Sequence, residues 1–146
     1  MTDIALRLDP AVGRFDIAVA GRDLVPDTTP ATSMILAIGC DRRARPDDTP
    51  PNAPEPPAFG DRRGWVGDAL DRLGRRLGSR LWLLARAPQN EETRRRAEAY
   101  AAEALAPIGA RRGLAITVAA AWVRPGVLAL TCRAGRTEVV LRVGAG

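Results

Sequence analysis

Carboxylate pairs are the residues in this chain that could do acid–base chemistry, and two of them are candidates. Asp61 with Asp68, and Glu98 with Glu103, are the pairs that in principle could cleave a glycoside, one acid protonating while the other stabilises or attacks. Their surroundings argue against that role. Asp61 and Asp68 lie among many arginines, which hold a carboxylate ionised and spoil it as a general acid. Glu98 and Glu103 lie on a charged helical face where salt bridging is the ordinary fate of an acid. Other chemistries fail on residue type. The chain has no His, so Ser33 and Ser79 have no base to activate them and the commonest metal ligand is missing. It has no Lys, so no P-loop exists, and GxGxxG is absent. Cys40 and Cys132 lack CxxC spacing and read as unpaired thiols. No catalytic residue, cofactor or metal is expected.

Binding is the better fit to the residues present. All 22 basic residues are Arg, whose planar fork pairs bidentately with carboxylates and tolerates partial desolvation. A net charge of +5 permits contact with nucleic acid through Arg72, Arg75, Arg76, Arg80 and Arg94–Arg96. With aromatic residues at only 4%, little is left for base stacking, and no nucleic-acid-reading motif appears. An Arg-rich nucleic-acid-binding module is therefore the alternative reading and protein docking the preferred one. The candidate contact residues are Asp41, Arg42, Arg43, Asp61, Arg62, Arg63, Trp65 and Arg80. Trp65, surrounded by Gly and charge, is the best anchor, because Trp and Arg dominate binding hot spots. Trp82 and Trp122 read as core. The triplet Asp-Arg-Arg occurs twice, at Asp41–Arg43 and at Asp61–Arg63.

The elements that must position these residues can be read from periodicity. At 146 residues the chain suits one domain with a moderate core. Residues 3–20 alternate around a turn, with Ile4, Leu6 and Leu8 answered by Phe15, Ile17 and Val19. This predicts a β-hairpin with one buried face, which Gly21–Asp27 then leaves. Thr29 as N-cap and Pro30 at the first position open a short helix with Ala31, Met34, Ile35 and Ile38 on its apolar stripe and Gly39 at its end. Residues 45–60 carry half of the chain's 12 prolines and read as an extended, solvated arm. Leu70, Leu73, Leu77, Leu81 and Leu84 recur at helical spacing, but Gly74 and Gly78 favour a loop followed by a compact helix over Ser79–Ala85. Asn90 caps a second helix, expected to stop at about Ala106 before Pro107. Its stripe is Ala97, Tyr100, Ala101, Ala104 and Leu105. Three strand-like runs, from Leu114, Val127 and Thr137, form an antiparallel meander. The fold class is α+β, with the meander packed on the helices. The opening MTDIALRLDP carries charge at once, so no leader is expected, and no run is long enough to cross a bilayer.

Taken together, these motifs resemble the baseplate protein family of Mu-like contractile-tailed phages. The resemblance rests on DIALRLDP, the Asp41–Ala44 loop, GDRRGW at 60–65 and GSRLWLL at 78–84. Arg95–Arg96–Ala97–Glu98 and the hairpin from Trp122 to Leu128 extend it over most of the chain. Val66 departs from the pattern, where another Trp is expected, and so does Cys40, where Thr is usual. The resemblance implies a non-enzymatic wedge subunit, similar to the short tail proteins labelled lysozyme-like, assembled in the host cytoplasm into the virion's tail baseplate. Implied partners are other wedge proteins, the tail hub or tube and the first sheath ring, in several symmetric copies. In that group a charged loop after the first helix docks onto a helical bundle of neighbouring wedge proteins, and Asp41–Arg42–Arg43 stands at that place. The group's terminal sheet resembles the sheath's strand-exchanging part, which implies a role in starting sheath assembly through the edge strand within Thr137–Val143.

Overall fold

A computed structural model describes residues 3–9, 11–52 and 61–144. The last eight residues of the expected arm, 53–60, lie outside the described residues. The architecture is α+β, as the sequence pattern predicts.

The N-terminal region is a junction of three short two-stranded ribbons. Strands β2 (Leu6–Asp9) and β3 (Arg14–Ile17) form the expected hairpin, with Leu6 opposite Ile17 and Leu8 opposite Phe15. The chain does not then leave the sheet. After β4 (Val19–Ala20) it turns at Gly21, φ +63°, and pairs back as β5 (Asp23–Leu24) on β4 and β6 (Pro26–Asp27) on β1 (Asp3–Ile4). Where the ribbons meet, three amides bond in a ring. Ala5 N–H donates to Val25 O, Val25 N–H to Ala18 O and Ala18 N–H to Ala5 O, at 2.8–2.9 Å. The buried alanines at 5 and 18 let three backbones converge. Of the six residues of the expected buried face, only Leu6 and Phe15 reach the core, whereas Ile4, Leu8, Ile17 and Val19 stay 46%, 52%, 51% and 63% exposed.

Helix α1 (Ala31–Gly39) starts one residue later than predicted, and Asp27 anchors it together with Thr29, whose hydroxyl accepts Ala31 N–H at 3.2 Å. Asp27 Oδ2 accepts Thr32 N–H at 2.9 Å, and Oδ1 accepts both Thr29 N–H and the Thr29 hydroxyl. Burial alone would raise the Asp27 pKa. The donors from Thr29 and Thr32 outweigh it and hold the carboxyl at about 2. Met34, Ile35 and Ile38 are buried, as the stripe requires.

Helix α2 (Glu91–Arg112) begins as expected, with the Asn90 side chain accepting Thr93 N–H at 2.8 Å. It then runs through Pro107 instead of stopping before it. An interior proline removes a hydrogen bond at a cost of about 3 kcal/mol. Here the continuing turn buries Ile108 and seats Gly109 so close to Leu114 O that a Cβ would lie 2.8 Å away. Burying one such aliphatic side chain recovers about 1.5–3 kcal/mol. Gly113, φ +63°, ends the helix.

The meander of β7 (Ile116–Arg124), β8 (Val127–Ala134) and β9 (Thr137–Gly144) is antiparallel, in the order β7-β8-β9. Leu128, Leu130 and Cys132, all fully buried, project from one face of β8. Ala97 and Ala101, also fully buried, allow α2 to lie close against the sheet. The compact helix expected at Ser79–Ala85 is a four-residue 3-10 turn, Leu81–Leu84. All four of its residues are buried, which a one-sided α-helix could not achieve. Ser79 does not cap it, donating instead to Ile38 O at 2.7 Å.

Candidate docking surface

The two Asp-Arg-Arg triplets, twenty residues apart in sequence, are stitched side by side. Ala44 N–H donates to Arg62 O at 3.0 Å, and the Arg63 guanidinium pairs with Asp41 at 2.5 Å. Arg63 takes a left-handed φ of +39°, followed by Gly64 at +113°. A Cβ on Gly64 would lie 2.9 Å from Arg43 Cβ, so only glycine lets the second triplet close on the first. The turn throws Trp65 outward. It remains 57% exposed, its ring lying over Gly67.

The segment 78–82 holds the first triplet from below. Ser79 N–H donates to Cys40 O, Arg42 N–H to Ser79 O, and the Trp82 indole N–H to Arg42 O, at 2.8, 2.8 and 2.9 Å. Gly78, φ +99°, is required there: a Cβ would stand 2.5 Å from Cys40 O and 2.7 Å from Arg42 N. Trp82 is core, as predicted, and the Arg63 guanidinium lies over its ring at 4.8 Å. Trp122 is only partly buried at the core's margin.

Arg80 is not at the surface. It is 7% exposed and donates to both oxygens of Asp48 and, twice, to Glu103 Oε2, at 2.8–3.0 Å, with its guanidinium 4.4 Å from the Tyr100 ring centre. Arg45 and Arg42 also reach Glu103, at 2.7 and 3.7 Å. Burial pushes the Asp48 and Glu103 carboxyls up. The Arg45 amide and Arg80 on Asp48, and Arg80 with Arg45 on Glu103, pull them further down, so both lie below their ordinary values. Arg62 also turns inward, donating to the carbonyls of Arg45 and Asp48. Residues 45–52 are thus tied to α2 through Arg45 and Asp48, while Arg45, Pro46, Asp47, Thr49 and Asn52 stay exposed to solvent.

Of the eight sequence-nominated residues, Asp41, Arg43, Arg63 and Trp65 form the accessible layer. Arg42, Arg62 and Arg80 support it from beneath, and Asp61 sits half-buried at the start of the second turn. Sequence reasoning missed Asp48 and Glu103, the anions that organise the cluster. An acid in a proline-rich stretch and another on a helix gave no sign of meeting, whereas the repeated triplet did signal the pairing of the two loops. Of the acids considered for glycoside cleavage, Glu98 accepts Ala120 N–H and pairs with Arg94, and Glu103 pairs with Arg80 and Arg45. Asp68 accepts Leu77 N–H through Oδ1, with Oδ2 buried and unpartnered among the described residues. Among the described residues, no group of three or more His, Cys, Asp or Glu is placed to hold a metal.

The chain belongs to the family described as Phage protein GP46, which matches residues 30–139. It is similar to the protein named Baseplate protein gp46 of Escherichia phage Mu, with 42% identity over 105 residues. That match covers 72% of this chain and 66% of the Mu protein. No solved structure matches the chain. The family match takes in both triplet loops, α1, α2 and most of the meander, and leaves the N-terminal ribbons outside.

Proposed function

We propose that this chain is a non-enzymatic structural subunit of a phage tail baseplate, acting as a wedge component of a contractile tail. The reading is supported by family membership and by the likeness to a baseplate protein. The observation that carries it is the stitching of the two triplet loops, which presents Asp41, Arg43, Arg63 and Trp65 on a support that has little freedom to move. A preorganised surface loses little side-chain entropy on docking, so Arg–carboxylate pairs and a Trp anchor there favour association strongly.

The partners are other wedge proteins, the tail hub or tube and the first sheath ring, with the chain present in several symmetric copies. The role in sheath initiation falls to β9, which among the described residues pairs with β8 alone and so offers its other edge to a strand from a neighbour.

The test is assembly of baseplates with the double variant Arg43→Glu, Trp65→Ala. Both side chains are exposed, so thermal melting should match wild type while incorporation falls by about tenfold or more. Wild-type incorporation by this variant would remove the triplet surface as the docking site.

A further inference from the structure

Beside Trp65 lies a cleft of about 800 Å³ whose chemistry is lopsided. Trp65, Val66 and Ala69 form an apolar wall, and Arg43, Arg63 and Arg76 line the rest with positive charge. Of the carboxylates within it, Asp41 pairs with Arg63, and Asp68 accepts Leu77 N–H at 3.0 Å through Oδ1 while its Oδ2 is buried without a partner among the described residues. Arg43 and Arg76 make no ion pair among the described residues.

The same segment continues into Leu70 and Leu73. Val66, Leu70 and Leu73 are 83%, 84% and 75% exposed, far more than apolar side chains at a finished surface need be. Two properties of an occupant follow. Exposed Val and Leu gain from contact with apolar side chains and nothing from phosphates, which favours protein over nucleic acid. Unpaired guanidiniums at the border of an apolar wall select carboxylates, which accept the planar fork bidentately.

We propose that this cleft receives a carboxylate-bearing apolar segment of a neighbouring baseplate protein. Its Asp or Glu meets Arg43 and Arg76, and its adjacent apolar side chain lies against Trp65 and Val66. The inference rests on the docking reading above and specifies the partner's chemistry; it adds Val66 and Arg76 to the surface.

The experiment places the photo-crosslinker p-benzoylphenylalanine at Val66, lets the full chain assemble into baseplates, irradiates them, and sequences the cross-linked peptide. In parallel, incorporation of Arg76→Glu and Arg76→Lys is measured. The expected result is a cross-link to another baseplate protein at an apolar residue neighbouring an Asp or Glu. Incorporation should fall by about tenfold for Arg76→Glu and by less for Arg76→Lys, which keeps the charge but loses the planar fork. A cross-link to a peptide without a carboxylate, to residues 53–60 of the same chain or to a second copy would overturn the proposal and leave the docking reading standing. So would incorporation with no cross-link at all. Exclusion of the wild-type chain from baseplates would instead defeat the docking reading itself.

Discussion

Replacing Arg80 by Met isolates the energetics of the support beneath the docking surface. Met keeps most of the buried stem and its packing on Tyr100 but removes four hydrogen bonds and the charge between Asp48 and Glu103. Breaking a buried ion pair from one side costs about 3–5 kcal/mol, largely through the carboxylate left behind. Glu103 keeps Arg45 at 2.7 Å and is 23% exposed, so the orphaned charge is chiefly Asp48, at 11%. The lower end applies, about 3 kcal/mol, equivalent to about 10 °C in melting temperature for a domain of this size. The pH dependence follows from the depressed carboxyls. Stability contributed by Asp48 and Glu103 is complete above their unfolded values of 3.8 and 4.5 and is lost as pH falls through the lower folded values. The Arg80→Met deficit should therefore be full near pH 7 and shrink below about pH 4. Urea titration at both pH values measures it, and hydrogen exchange should show residues 45–52 losing protection. A deficit under about 1 kcal/mol at pH 7, or one of equal size at low pH, would refute the buried-network argument.

Four further outcomes follow from the same geometry. Gly78→Ala should cost about 3 kcal/mol or more in urea denaturation, because the clash is with the backbone of Cys40 and Arg42. Gly74→Ala, with φ +64° and open space around it, should cost only about 1 kcal/mol. Asp27→Asn should lose about 2 kcal/mol at pH 7, and the wild-type loss of stability between about pH 4 and the folded pKa of about 2 should flatten in that variant. A thiol reagent at pH 8 should modify Cys40 slowly in the native protein, since partial burial and Asp41 raise its pKa, but Cys132 only after unfolding, since burial removes it from solvent and raises its pKa to about 11.

Most of the regular elements were legible in the sequence because their signals are local. Asn90 and the alanine stripe marked α2, and strict alternation marked the three C-terminal strands. Failures arose where tertiary contacts outvoted a local rule. Pro107 signalled a helix end, but Ile108 and Gly109 pack too well to stop there. Leu81–Leu84 matched a helical leucine repeat, yet four consecutive buried residues demand a tighter turn. Gly21–Asp27 looked like a departing chain because strands two residues long leave almost no periodic trace. At the site, the doubled Asp-Arg-Arg triplet and Trp65 were visible. Arg80 was not distinguishable from its exposed neighbours, because its burial depends on Asp48 and Glu103, 32 and 23 residues away.

The most direct measurement is mass spectrometry of purified contractile particles, separated stepwise into sheath, tube and baseplate. The structural account requires this chain to stay with the baseplate fraction in a fixed ratio to its other proteins. Absence from intact particles, or loss with the sheath or tube while the baseplate remains whole, would contradict it.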